Sequence, residues 1–277
     1  MTNADADPLR SLVDSSGFAF QLAVEQLVAG TPFTVLTTEH GWVHPRTLNS
    51  GFADIVLEAQ GGVVRLVVEC KRVRGGDWVF LLPEKRTPDV ARKSRRVDVL
   101  WTAVSAHNDA TGFDHMFFNP ETAQCPFCVV RGSGEGQQPM LERLAGHLLE
   151  TMEAIADEQK RLDLERRANL TPAQFRVYAP VIVTNAQLHV CVFDPAKVNP
   201  TDGLLPSDAE FFPTPFVRFF KNLTTDINAS LQQDLKATNK AKNRTVFVVN
   251  APALQDFLKS LTSTDAMPAS MRQFRGL

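Results

Sequence analysis

The stretch "SGFADIVLEAQGGVVRLVVECKRVRGG", residues 50–76, decides how the chain is read. Two apolar, β-branched runs flank the pair Gly61-Gly62. They predict strands over Phe52–Leu57 and Val63–Cys70 joined by a tight turn. Val63–Cys70 is apolar enough for a strand buried on both faces, where ionised groups are costly unless compensated. Yet Asp54 opens the first run, and Glu69 and Lys71 close the second. Strand side chains alternate, so Glu69 and Lys71 point one way and Cys70 the other. In a meander folded at Gly61-Gly62, Asp54 comes level with Glu69 to Lys71, and three ionisable groups converge.

Working outward, residues 15–29, "SSGFAFQLAVEQLVA", carry serines suited to an N-cap and end at Gly30, with Pro32 beyond, which predicts a helix. Gln21 and Glu25 share one face of it, and Glu25 is placed to complete the acidic cluster. Phe33–Thr38 is β-rich, giving a helix followed by a three-strand meander. Residues 72–139 hold Pro83, Pro88, Pro120, Pro126, Pro139 and "GSGEG", and are read as an irregular insertion with a short helix over Val90–Val104. Leu141, Leu144, Leu148, Met152 and Ile155 recur at helical spacing and predict a long amphipathic helix to about Arg167. Strands follow at Arg176–Thr184 and Leu188–Phe193, joined by a hairpin-type turn at "NAQ". Another strand is expected at 245–250 and a helix at about 252–261.

Two or three carboxylates beside a single cation repel one another unless a divalent metal neutralises them. Magnesium takes a few carboxylate oxygens and keeps several waters, and a nearby lysine stabilises charge developing on a phosphate. The chemistry so assembled is phosphodiester hydrolysis. Asp54, then fourteen residues, then "ECK" at 69–71, behind a helix carrying Glu25, resembles the PD-(D/E)xK, or restriction-endonuclease-like, nuclease superfamily. The resemblance implies an α/β fold with an αβββαβ core, a mixed central sheet flanked by helices, and a long insertion after the third strand. It further implies Asp54 and Glu69 as ligands of magnesium or manganese, Lys71 as the catalytic lysine, and Glu25 as the first-helix acid. Ala53 stands where the family's proline precedes the aspartate. The expected organisation is one nuclease-like domain over 1–277, with a basic insertion at 72–139 and a C-terminal extension at 195–277 packed on the core.

The 277 residues are 44% hydrophobic with a net charge of −2, a soluble globular composition with no bulk bias towards polyanions. The positive charge is local. Arg72, Arg74, Lys85, Arg86, Arg92, Lys93, Arg95 and Arg96 are candidates for phosphate contact, and Lys236, Lys240, Lys242 and Arg244 form a second cluster. DNA is the expected partner, with RNA as an alternative. Trp78 and Trp101 read as buried anchors more readily than as stacking platforms. "CPFC", Cys125 to Cys128, has ligand-like spacing, and His107 and His115 on the same insertion would complete a structural zinc site; the competing reading is cysteines that simply pack. The acidic, polar start "MTNADADPLRSL" has no signal-peptide pattern and no run is long enough to span a bilayer, so the chain is expected to be cytoplasmic with no membrane partner. Two rival readings stay open: a catalytically inactive nucleic-acid-binding module on the same fold, and an interaction protein, with a homodimer among its forms.

Overall fold

A computed structural model describes residues 8–59, 61–73, 76–83, 93–130, 140–169, 173–223 and 234–263. The chain is a mixed α/β structure dominated by two sheets. Two short helices, α1 (Pro8–Ser16) and α2 (Phe18–Gln26), precede the meander β1 (Phe33–Val43), β2 (Ser50–Ala59) and β3 (Val64–Lys71). Gly17 separates the helices at φ +84°, a left-handed conformation that interrupts the expected single helix over 15–29. Gly61 and Gly62, at φ +99° and +73°, make the turn between β2 and β3, which pair antiparallel from Ile55↔Val68 to Glu58↔Arg65.

Residues 72–139 are not irregular where they are described. Their described part forms β4 (Asp77–Pro83), β5 (Lys93–Val104), β6 (Asp109–Cys125) and β7 (Phe127–Val130). The short helix expected over Val90–Val104 is strand β5 from Lys93 onward. Val97, Val99, Trp101 and Ala103 alternate into one apolar layer, and this period of two overrides the helix-friendly run "ARKSRR". Helix α3 (Met140–Glu165) follows, then β8 (Gln174–Thr184), β9 (Gln187–Phe193), β10 (Glu210–Pro213), β11 (Phe216–Asn222), α4 (Leu235–Ala241), β12 (Asn243–Asn250), α5 (Leu254–Ser260) and the two-residue β13 (Thr262–Ser263).

The larger sheet runs β1-β2-β3-β8-β12-β11-β6-β13, with β5 bridging β6 and β8; the smaller runs β10-β9-β4-β7. The turn at 185–186 therefore closes no hairpin: β8 lies in the large sheet, and β9 crosses to pair in parallel with β4. β3 runs parallel to β8 from Val64↔Val177 to Lys71↔Thr184, so it has a neighbour on each side, as its apolar composition demands.

Two apolar layers sandwich the large sheet. On one face Val56, Val67 and Ile182 meet Leu148, Met152 and Ile155 of α3, together with Trp78, Phe80 and Leu188 from the smaller sheet. On the other, Ile55, Leu66, Val68 and Val183 meet Val24 and Val28 of the α2 region and Phe257 and Leu258 of α5. Each such buried side chain contributes about 1.5–3 kcal/mol. Trp78 and Trp101 are buried in these layers and are anchors.

Arg218 on β11 is 0% exposed, and the charge of Glu121 acts on it. Its guanidinium donates to the carbonyls of Phe118, at 2.8 Å, and Pro120, at 3.0 Å, and lies 5.0 Å from the Phe247 ring. Burial pulls its pKa down to about 10, so it stays charged at neutral pH. Arg218→Ala strands two buried carbonyls and leaves a cavity; urea unfolding is expected to show a loss of about 2–4 kcal/mol.

Candidate active site

The site is built where β2 begins its pairing with β3. The last paired step is Ile55↔Val68, and the ladder's next step sets Asp54 level with Glu69. Asp54 turns its carboxylate onto the neighbouring strand, where Oδ2 accepts the backbone N–H of Cys70 at 2.6 Å. One oxygen is thereby fixed and the other left to serve a ligand. Lys71 follows two residues after Glu69, and both are half-buried. Asp54, Glu69 and Lys71, expected together from spacing alone, act on one another electrostatically.

Burial is the main force on both acids. It raises Asp54 above the ordinary carboxylate range, against the Cys70 hydrogen bond that lowers it, and Glu39 raises it further. Glu69 is pushed from an ordinary 4.5 up to about 7, first by burial and then by the charge of Asp54; Lys71 pulls it back only in part. The pair is under-neutralised, which is the condition in which a carboxylate pair holds either a proton or a cation.

Glu25 was the expected third acid. The structure places it half-buried on α2, but that helix reaches the cluster through Gln21, one turn earlier. Gln21 Nε2 donates to Glu39 Oε1 at 2.6 Å and to the Asp54 carbonyl at 3.0 Å. The acid beside Asp54 comes instead from β1. Glu39 lies between the ladder pairs Thr38↔Ile55 and His40↔Ala53, opposite Asp54, at φ +48°. A left-handed glutamate costs on the order of 1 kcal/mol, and such strain concentrates at functional sites. His147 of α3 adds positive character near Asp54 and packs against Trp42 with ring centroids 5.5 Å apart. Glu39, Gln21 and His147 could not be picked from spacing, because each depends on register or on packing of α3 against the sheet.

Removing the Glu39 charge relieves part of the repulsion. Glu39→Gln is expected to lower the apparent pKa of the Glu69 carboxyl, followed by carbon NMR of labelled glutamate across pH 4–9.

The other sequence candidates are dispersed. Cys125 closes β6 and Cys128 sits in β7, both buried in the layer facing α3. His107 is exposed in the β5–β6 turn, and His115 is exposed on β6 opposite Asp98. The strand β6 extends between His107 and Cys125, so the four do not gather, and the cysteines pack as core residues. Among the described residues no three His, Cys, Asp or Glu side chains are grouped to hold a metal. Arg74, Lys85, Arg86 and Arg92 lie outside the described residues. Arg72 donates to the Asp14 carbonyl and Arg96 pairs with Asp98 at 3.2 Å, so both serve the fold, while Lys93 and Arg95 are exposed on β5. In the second basic cluster Arg244 is buried, 3.7 Å from the Phe113 ring centroid, and donates to the carbonyls of Ala241 and Asn243. Lys236 is exposed on α4.

Polar contacts tie the β1–β2 hairpin to α3. Buried His44 accepts the N–H groups of Arg46 and Thr47 on Nδ1, so its other nitrogen carries the proton towards Glu153 at 3.4 Å. Arg46 also reaches Glu153, at 2.8 Å, and His40 reaches Glu158 at 2.9 Å. His40 and His44 are thus fasteners of the hairpin to α3. Among the described residues no helix is long and apolar enough to cross a membrane. Comparison with protein-family models, curated proteins and solved structures finds no match to this chain.

Proposed function

We propose that the chain is a metal-dependent nuclease that hydrolyses DNA phosphodiester bonds, in restriction, another defence role or repair. The observation that carries this reading is the convergence of Asp54, Glu69 and Lys71 at one end of two adjacent strands, with both acids held against their preference for water. The element order α2, β1, β2, β3, then α3 and β8, is the order expected of the restriction-endonuclease-like core, and supports the same reading.

Asp54 and Glu69 suit a hard dication, because magnesium needs only one or two carboxylates and completes its sphere with water. Bound there, magnesium or manganese would neutralise the pair and acidify water for attack at phosphorus. The chain's own groups do the rest. The Cys70 N–H and Gln21 fix the backbone and carboxylate of Asp54, so its free oxygen is aimed before substrate arrives. Lys71 presents an ammonium beside Glu69, placed to stabilise the charge that develops on the non-bridging phosphate oxygens. Glu39, held by Gln21, adds its charge to the field on the pair.

The test is incubation of supercoiled plasmid, single-stranded DNA and RNA with the full chain and magnesium or manganese. Nicking or degradation that stops on adding EDTA is the expected result. No cleavage and no metal-dependent binding of any of the three would sink the proposal.

A further inference from the structure

Every acid on the first half of α3 is engaged. Glu142 accepts the Lys221 ammonium at 2.6 Å, Glu150 the Asn49 amide at 3.1 Å and Glu153 the Arg46 guanidinium at 2.8 Å. The bases of the same stretch are not. Arg143 and His147 are exposed, and among the described residues neither side chain has a hydrogen bond or an ion pair. They lie four residues apart on one face of the helix, about 6 Å along its axis. Gly146 shares that face, and a Cβ placed there would meet nothing within 4 Å beyond its own neighbours in the chain. The exposed imidazole is nevertheless held in place. His147 packs on buried Trp42, and Gly51 makes the room, since a Cβ there would lie 3.1 Å from the Trp42 ring and 3.4 Å from His147 Nε2. Gly51 precedes Asp54 by three residues on β2, and the charge of His147 is felt at Asp54. A braced, uncommitted donor thus stands beside the cluster.

We propose that Arg143 and His147 grip consecutive backbone phosphates of the DNA strand that runs into the Asp54–Glu69 cluster. The inference rests on the nuclease reading and extends it from the reacting phosphate to those beside it. The carboxylates of Glu39, Asp54 and Glu69 repel a polyanion, so a strand brought to them needs donors on its flank. Lys71 supplies one at the end of β3, and α3 supplies two more. With the neighbouring acids taken, the charge of Arg143 is not cancelled on its own helix. A guanidinium offers a phosphate two parallel N–H groups, and an imidazole donates from a ring nitrogen whether neutral or charged. One helical turn sets the two groups a distance apart that is close to the step between successive phosphates of one strand. The gap over Gly146 lets the sugar–phosphate chain approach the helix between them. Neither group has to read a base, so the grip is indifferent to sequence and sensitive to salt.

Binding is measured apart from cleavage, by fluorescence anisotropy of a labelled DNA oligonucleotide on the full chain carrying Asp54→Asn, in magnesium. Adding Arg143→Ala/His147→Ala to that parent should raise the dissociation constant about tenfold or more, and should flatten its dependence on log salt by about one unit of slope. Arg143→Lys should cost only a few fold, because the charge survives. Arg161→Ala removes an exposed arginine further along α3 and should bind as the parent does. Arg143 and His147 are both exposed, so the circular dichroism spectrum and the urea midpoint should not move. In cleavage by the otherwise wild-type chain, the double substitution should raise KM while kcat stays within a few fold and manganese affinity is unchanged. A parent that binds no DNA, a double variant that binds as tightly as the parent, or a loss matched by Arg161→Ala overturns the inference. So does a loss of affinity at unchanged salt slope, the mark of a merely structural effect. Weakened, salt-flattened binding by the double variant of a chain that never nicks DNA would sink the catalytic reading and leave the phosphate grip standing.

Discussion

Asp54→Asn is expected to lower the magnesium-dependent nicking rate by about 10³-fold or more, because it removes the one carboxylate whose position is fixed by a backbone hydrogen bond. The substitution keeps size and still offers an oxygen to the Cys70 N–H, so the fold should not be weakened and the loss reads as chemistry. Lys71→Ala should give a loss of similar order with metal affinity preserved, since the ammonium acts on the phosphate and not on the ion. Glu25→Gln, by contrast, should leave the rate within a few fold, because α2 meets the cluster through Gln21. Rates are measured by plasmid nicking, and metal affinity by calorimetry with manganese. Equal rates for wild type and Asp54→Asn would remove the cluster from the mechanism.

The second large effect is on stability. Glu69 has a folded-state pKa of about 7 against an ordinary 4.5. Below pH 4.5 it is protonated whether the chain is folded or not, and its full contribution is present. As pH rises towards 7, the unfolded chain releases this proton before the folded one does, so folding stability falls and then levels off. The shift corresponds to about 3 kcal/mol. Asp54, also raised, adds in the same direction. In EDTA the wild type should therefore lose stability between pH 4.5 and 7, and Glu69→Gln should be more stable than wild type at pH 8 by up to about 3 kcal/mol. Magnesium at pH 8 should restore wild-type stability and leave Glu69→Gln unmoved. Urea unfolding at several pH values decides it; a flat wild-type profile in EDTA would show that the pair is neutralised within the chain.

The meander and the long helix were legible because their signals are local. Alternating β-branched residues around Gly61-Gly62 fix β2 and β3, and the recurrence of Leu141, Leu148, Met152 and Ile155 fixes α3. Those elements bring Asp54, Glu69 and Lys71 together almost without tertiary information. The strands within 72–139 were not legible, since β4 finds its parallel partner in β9, far along the chain, and β7 pairs in turn with β4, while the basic run before Val97 masks the period of two. The third acid escaped for a related reason. A helix places Glu25 by its period, but Glu39 reaches Asp54 only through the β1–β2 register and a left-handed backbone angle. The zinc reading rested on cysteine spacing, which says nothing about whether a strand extends between the cysteines and their supposed histidines.

The parallel pairing of β3 with β8 has a consequence for synthesis. Glu69 lies beside Ile182 and Lys71 beside Thr184, more than a hundred residues later in the chain. A ribosome therefore releases the acidic strands well before the neighbour that shields them, and until then Val64–Val68 offers a bare apolar edge to other nascent chains. Messages cut short before β8 should yield insoluble product, and the buried, proton-hungry state of Glu69 should arise only once β8 has been made.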